Sequence, residues 1–569
     1  MRQKRQRWWK AGGLLTLAMA AVVGTSVANA AAGQGTATSS SHASATELSV
    51  SAGVILPAEQ CSSLVTLDLS GLRDAPTRLT SAHDTSLNGT TYCVVSGYTN
   101  PQEQFTIELP ETTWHGDYLQ VGCGGYCGAV QAPQTPVAAT DCTQVSNNEF
   151  VYATDDQGHE DGGGVDALWA ADNLPARVTF GYLSEHRLRQ VAGAVIKDFY
   201  GHGPRETYFD GCSGGGHEAL TLAQRYPHDF NGILAGAPAG DWGALMAEAA
   251  AWGARSNMDG NGNVILTSAK LPALHAAVMK ACANGEGYIP DPRSCTFDPA
   301  SLRCPNGTDT DSCLTRQEIT VVRNLYQGAH DGAGHEFFGG GEPYGSELAW
   351  AGWQTNNGGS AKTLLDYQFA QNYLAYMGFA QDPADFHLKD WKFDTASYDS
   401  MERLAGIYDA TSPDLSAFRN AGGKLIIWAG WADQAIPSFT QVDYYAAVER
   451  QMGGFVRSQA FTRLYMVPGG YHCLSGGDPT TMPVFLVPLI NWVENAQAPA
   501  ALTLPVTGQT TGTKISSLTV HPFDALAPAP KNKGLNSNYQ QYRSADLYTR
   551  DHLMVCEVKL GNYVCTTSH

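Results

Sequence analysis

The sequence predicts an α/β fold, a mainly parallel sheet with helices on its faces that is interrupted once by a long insertion. Three observations carry this. β-rich runs alternate with helical ones from about residue 103 to residue 238. The alternation stops between about residues 241 and 415, and it resumes at KLIIWAG and RLYMVPG, Lys424–Gly430 and Arg463–Gly469.

Taken in order, QFTIELP and GDYLQVG read as strands leading into a glycine-rich loop, FVYATDD as a third strand and ETYFDG as a fourth. Between the last two, Leu188, Val191, Ala192, Val195, Ile196 and Phe199 recur at helical spacing. Strand, helix, strand in this rhythm builds a parallel sheet, because parallel neighbours need a crossover long enough to hold a helix. NGILAGAPAG closes the first run. The stretch that follows is rich in Gly, Asn, Asp and Trp, holds four cysteines, and shows helical pieces such as AKTLLDYQFAQNYLAYM without alternating strands. We therefore expect a first part of the α/β domain over 51–240, an inserted lid over 241–415, and a second part with a C-terminal segment over 416–569. An insertion at the carboxyl end of a strand sits where open α/β sheets bind ligands.

The first thirty residues carry five cationic side chains before Ala11, an apolar run from about Gly12 to Val23, and the small-residue site Ala28-Asn29-Ala30. This reads as a secretory signal peptide cleaved near Ala30, since the run falls short of the roughly 20 residues a bilayer span needs. Residues 31–50 read as a flexible lead-in. Losing the leader removes five cations and no acids, which moves the formal charge from -19 to -24. Such a surface repels polyanions, so nucleic acid is excluded as a partner, and no membrane partner is expected.

Thirteen cysteines in an exported chain read as disulfides. Cys61 with Cys93, Cys282 with Cys295, Cys304 with Cys313, and Cys556 with Cys565 are natural neighbours, although chain order does not prove connectivity. Cys123, Cys127, Cys142, Cys212 and Cys473 remain, an odd number that leaves one thiol over. None shows zinc-site spacing.

Gly211-Cys212-Ser213-Gly214-Gly215 fits G-x-S-x-G between the strand ETYF and the helical HEALTLAQRY. A serine on a sharp strand-to-helix turn presents its hydroxyl, and the helix behind it aims amide hydrogens at a developing oxyanion. An ordinary glycine-rich turn is the alternative. The hydroxyl needs a base and an orienting acid, which in α/β-hydrolases follow in the order Ser, Asp or Glu, His, after later strands. Asp433 follows KLIIWAG and His472 follows RLYMVPG, in that order. Cys212 precedes the serine and Cys473 follows the histidine. If the two are bonded, their β-carbons lie about 4 Å apart. The bond would close a loop of roughly 260 residues, on the order of 5 kcal/mol in chain-entropy terms.

On QVGCGGYCG, TDDQGH, YGHGPRETYFDGCSGGGHEAL, RYPHDFNGILAGAPA, CTFDPASLRC, GWADQAIP and GGYHC, the sequence resembles the tannase and fungal-type feruloyl esterase family, which includes the hydrolase of mono(hydroxyethyl) terephthalate. The resemblance covers most of the mature chain and weakens after about residue 505. It implies an α/β-hydrolase fold with a large lid, a triad of Ser213, Asp433 and His472, and a bridging disulfide between Cys212 and Cys473. It also implies an oxyanion hole from the amides of Gly214 and Gly124, with Gly125 as the alternative to the latter. Asp156 and His159 become supports of the sheet edge. The sequence departs from the family at Gly214 and His217, where bulkier polar residues and an arginine are common. It departs again at CANGEGYIPDPRSC, which is shorter than the family's calcium loop and lacks its first aspartates. Calcium takes six to eight oxygens, more than Asn284, Glu286 and Asp291 supply, so no metal and no cofactor is expected.

The expected activity is that of a secreted serine carboxylesterase acting on hydroxycinnamoyl, feruloyl-type esters through an acyl-enzyme. Gallate esters come second and terephthalate half-esters third. The substrate would be a small aromatic or plant cell-wall ester. In EPYGSELAWAGW, Tyr344, Trp350 and Trp353 are candidates to stack on its ring, with core packing as the alternative. A serine peptidase on the same fold and a non-catalytic binding protein on an esterase scaffold are the rival readings. The presence of all three triad residues and both bridging cysteines argues against the latter.

Overall fold

The computed structural model describes residues 53–529, apart from 88, 132–135, 162 and 509–514, together with 554–559 and 562–567. The expected signal peptide and lead-in, residues 1–50, lie outside the described residues.

Nine strands form one sheet: β1 (Thr77–Leu87), β2 (Thr90–Thr99), β3 (Glu103–Pro110), β4 (Asp117–Val121), β5 (Phe150–Asp155), β6 (Glu206–Cys212), β7 (Gly232–Gly236), β8 (Lys424–Gly430) and β9 (Thr462–Val467). Their order is β1-β2-β3-β5-β4-β6-β7-β8-β9. The run from β5 to β9 is parallel throughout, with Val121 opposite Asp210 and Gly211 opposite Ala235. β4, β5 and β7 are buried along their whole length, as strands covered on both faces must be. β3 contains the predicted strand QFTIELP, but β1, β2 and the antiparallel pairing of all three at this edge were not expected. β1 is polar and largely exposed on its outer half, so its apolar alternation is weak.

Helices α1 (Ser184–Tyr200) and α2 (Gly214–Arg225) cover one face. α1 turns the predicted stripe of Leu188, Val191, Val195 and Phe199 inward and stops at Gly201, whose φ of 83° suits only a left-handed cap. Between β7 and β8 the described chain has helices and turns but no strand. There α3 (Leu271–Cys282), α4 (Arg316–Gln327) and α5 (Leu365–Tyr376) follow one another. α4 starts at a reciprocal cap in which the Thr315 hydroxyl accepts from the Glu318 amide and the Glu318 carboxylate accepts from the Thr315 amide. After β8, α6 (Phe439–Met452) returns to the face of α1 and α2, and α7 (Leu486–Asn495) packs on the opposite face against Trp428 and Tyr465. The insertion has a core of its own around Leu274, Val322, Tyr326 and Trp350. A second cluster, including Tyr126, Trp242, Phe369 and Ile436, joins its helices to the loops at the sheet's carboxyl edge.

Six disulfides are present. Cys61–Cys93, Cys282–Cys295, Cys304–Cys313 and Cys556–Cys565 are the four sequence neighbours, and Cys212–Cys473 is the long-range bridge. The sixth joins Cys123 to Cys127, leaving Cys142 free and buried.

Candidate active site

β6 runs into α2 through Ser213, which takes φ 67° and ψ −118° at the helix N-terminus. A side chain is held at positive φ only where its surroundings fix it. Here the Ser213 amide donates to the Gly236 carbonyl at 3.0 Å, and its carbonyl accepts from His217 and Ala239 at 3.1 and 3.2 Å. The glycines around it are needed for close approach. A β-carbon at Gly211 would stand 2.4 Å from the Gly215 carbonyl oxygen, and one at Gly214 would stand 2.8 Å from that of Gly125. Thus the start of α2 lies directly against the glycine loop that follows β4. Glu218, one turn into α2, accepts the Cys123 amide at 3.3 Å, and the Cys123–Cys127 disulfide closes the loop on itself. Burial first, then the neighbouring Asp155 carboxyl, pushes the Glu218 carboxyl well above its ordinary range. His217 is buried on the same turn and kept neutral, its pKa lowered to about 4 by desolvation.

Asp433 sits just past β8 and is fully buried. Its Oδ1 accepts from the amides of Ala435 and Ile436, both at 2.9 Å. Its two oxygens face His472 Nδ1 at 3.1 and 2.9 Å. His472 follows β9, and its amide donates to Gln434 Oε1 at 3.2 Å. The two loops touch so closely that a β-carbon at Gly430 would lie 2.0 Å from the Gly470 carbonyl oxygen. Cys212 and Cys473, bonded with their α-carbons 6.0 Å apart, fasten the residue before Ser213 to the residue after His472. With Nδ1 turned to Asp433, Nε2 is the histidine nitrogen left for a proton from elsewhere.

A cavity opens beside Ser213, with Gly125 and Gly214 in its wall. Gly125, the alternative loop residue, lines it, and Gly124 does not. The remaining wall is largely apolar, formed by Trp242, Leu245, Met246, Trp353, Phe369 and Ile436 among others. Of the three aromatic candidates in the insertion, Trp353 is in this wall; its ring stands edge-on to His472 at 6.0 Å and stacks on Phe369 at 6.0 Å. Tyr344 and Trp350 are corrected. Both are buried in the insertion's own core, where Trp350 donates to Ser346 Oγ at 2.8 Å and Tyr344 packs on Tyr326 at 4.6 Å. Their side chains pack within the insertion rather than at the cavity.

Asp156 and His159 stand apart as supports. Asp156 Oδ1 accepts from the amides of Gln104 and Gly158, and His159 stacks on Trp169 at 3.8 Å. The segment between Cys282 and Cys295 does not fit a calcium ion. Both oxygens of Asp291 are taken by the Arg293 guanidinium, and Asn284 Oδ1 accepts from the Glu286 and Tyr288 amides. Beside these engaged oxygens the segment adds only the Glu286 carboxylate, short of the six to eight oxygens calcium takes.

Sequence reasoning missed Trp242, Gln434 and Asp366 in and around the cavity. Only Asp366 carried a signal. On α5 the inward positions are Asp366, Phe369, Ala370 and Tyr373, and an acid within an apolar helical stripe is out of place unless something uses it.

The matching family model is that of tannase and feruloyl esterase, over residues 88–545. An uncharacterized esterase of Xanthomonas campestris pv. campestris is 30% identical over 453 residues, covering 74% of this chain and 76% of its own. The mono(2-hydroxyethyl) terephthalate hydrolase of Piscinibacter sakaiensis is 28% identical over 460 residues, covering 71% and 75%. The crystal structure of feruloyl esterase B from Aspergillus oryzae superposes with a TM-score of 0.67 at 20% identity, covering 82% of this chain and 96% of that one, which establishes the shared α/β-hydrolase fold. The chain belongs to the tannase and feruloyl esterase family and is a carboxylic ester hydrolase.

Proposed function

We propose that this protein is an extracellular serine esterase that hydrolyses hydroxycinnamoyl-type aromatic esters. The observation that carries the reading is the Asp433–His472 pair, tied by the Cys212–Cys473 bridge to the serine at the start of α2, with an aromatic-walled cavity beside it. In this mechanism Ser213 Oγ attacks the ester carbonyl carbon while His472 Nε2 takes its proton. Asp433 holds the imidazole through Nδ1 and stabilises the imidazolium. The oxyanion is met by the Gly214 amide and by the amide of Gly125, the loop residue in the cavity wall; Gly124 is the alternative. The C–O bond to the alcohol then breaks, and His472 returns the proton to the leaving oxygen. Water repeats the sequence on the acyl-enzyme, which releases the acid and restores Ser213. No step needs a metal.

A flat acyl group between Trp353, Phe369 and Trp242 accounts for the aromatic wall. Six disulfides fit an oxidising location, and no helix among the described residues is long and apolar enough to cross a membrane. The test is hydrolysis of methyl ferulate, methyl gallate and p-nitrophenyl acetate by wild type and by Ser213→Ala, with fluorophosphonate labelling of both. Wild-type turnover and labelling that Ser213→Ala abolishes support the reading. Cleavage of p-nitrophenyl acetate alone overturns the substrate class, and no cleavage of any ester overturns the mechanism.

A further inference from the structure

Among the described residues, the wall of the cavity beside Ser213 contains one ionisable side chain besides the machinery already described. Asp366 lies in its wall, 4% exposed, among Trp242, Trp353 and Phe369. Room for the carboxyl is made by Gly253, where a β-carbon would stand 2.1 Å from Asp366 Oδ2. The one hydrogen bond to its carboxyl among the described residues is from Gln354 Nε2 to Oδ2 at 3.1 Å. That same nitrogen also faces Glu342 Oε1 at 3.2 Å and the Gln434 carbonyl oxygen at 2.9 Å. An amide nitrogen carries two hydrogens, so Asp366 shares two donors with two other acceptors, of which the Gln434 carbonyl is the closer.

A buried polar group in that position is costly unless something pairs with it. Burial pushes the Asp366 carboxyl up to about 8, against the opposing hydrogen bond from Gln354. In its neutral form a carboxyl both donates and accepts, as a phenolic hydroxyl does. Trp242 lines the same cavity, and its indole Nε1–H is buried with no partner among the described residues. The apolar walls accept any flat ring, whereas these polar atoms favour a ring that carries oxygen.

We propose that Asp366 is the specificity-determining residue of the acyl pocket, its carboxyl hydrogen-bonding a free ring hydroxyl of the aromatic acid. The inference rests on the aromatic esterase reading above and assigns its discrimination between hydroxylated and unhydroxylated rings to one residue. A site built to hydrogen-bond a hydroxyl rejects the analogue lacking it far more strongly than an apolar pocket separates two rings of similar size.

The experiment compares kcat/KM for methyl ferulate with that for methyl cinnamate and methyl 3,4-dimethoxycinnamate, in wild type, Asp366→Leu and Asp366→Asn. Wild type should favour ferulate over both analogues by at least about 10-fold, Asp366→Leu should bring the ratios close to one, and Asp366→Asn should fall between. The amide keeps a donor and an acceptor but fixes them on different atoms, so it recovers only part of the preference. Wild-type ratios near one, with all three cinnamates turned over, overturn this inference and leave the aromatic esterase reading standing. Preserved ratios in Asp366→Leu overturn it as well. If that variant does not fold, Asp366→Asn decides, and wild-type ratios there overturn it. Turnover of p-nitrophenyl acetate alone by wild type overturns both readings.

Discussion

At the scale of single residues, the site is built from side chains whose partners leave them one task each. Asp433 has one oxygen engaged by two backbone amides and both facing His472 Nδ1. It can orient the ring and balance its charge without moving. Asp433→Asn keeps that shape but offers a donor where Nδ1–H needs an acceptor, so the imidazole is held in the wrong tautomer. Steady-state kinetics on an ester substrate should show kcat reduced by about 10⁴ with the fold intact. A loss under tenfold would remove Asp433 from the mechanism. Asp366 belongs to this scale too, because one carboxyl in an otherwise apolar wall is expected to decide which ring the pocket keeps.

Between single residues and the whole chain, the strand-to-helix turn depends on glycine for packing as much as for conformation. Gly211 has no room for a β-carbon, since the obstructing atom is the Gly215 carbonyl oxygen, which is backbone of the helix start. Gly211→Ala should therefore cost on the order of 2 kcal/mol or more through forced backbone displacement, read as a lower denaturation midpoint together with lost turnover. Unchanged stability would show that the turn can relax. The Cys212–Cys473 bridge spans 261 residues of sequence. The paired change Cys212→Ser and Cys473→Ser should lower stability by about 2 to 5 kcal/mol, and it should reduce kcat more than it changes KM, because the bridge holds the histidine loop to the serine turn. Equal effects on both constants would assign the bridge to general stability instead.

Across the whole molecule, the insertion is tied to the second half of the α/β domain by a buried ionic contact. His275 on α3 places Nδ1 2.8 Å from Glu347 and Nε2 3.4 Å from Asp478, a residue that follows the histidine loop. Burial alone would lower the pKa of this histidine, but the hydrogen bonds and charges of the two carboxylates outweigh it and raise it from 6.5 to about 9. The raised folded-state value means the folded protein binds this proton more tightly than the unfolded chain does. The contribution is therefore fully present below about pH 6.5 and is lost as pH rises through about 9, with a magnitude of roughly 3 kcal/mol. Denaturation midpoints measured from pH 6 to 10 should fall more steeply over that window in wild type than in His275→Gln. Parallel curves would remove His275 as the source of the slope. Tyr471, whose own hydroxyl is raised by burial and by Glu347 and Asp478, borders the same contact and titrates above this window.

Much of this was legible in the chain because it is local. G-x-S-x-G between a strand and a helix, an aspartate just past one strand and a histidine just past the next are short-range patterns, and the cysteines beside the serine and the histidine made a bridge between their loops an expectation. The parallel core was legible for the same reason, since strands buried on both faces are continuous apolar runs. The antiparallel edge was not, because the outer half of β1 is polar and exposed and is a strand through its pairing with β2. Nor could sequence separate Trp353 from Tyr344 and Trp350, three aromatics within ten residues of one another. Which of them faces the cavity depends on how the insertion folds over the sheet, and that is decided by packing between residues far apart in the chain. The same holds for Asp366, whose carboxyl accepts from Gln354, itself bonded to the Gln434 carbonyl, only after the insertion and the second half of the sheet come together. Short-range motifs in the chain were enough to point to the family and to the order of the candidates Ser213, Asp433 and His472, whereas the Cys212–Cys473 bond joins residues 261 apart and exists only in the folded chain. The tertiary structure alone decided the shape and polarity of the pocket, because these arise from burial, and burial depends on the whole fold.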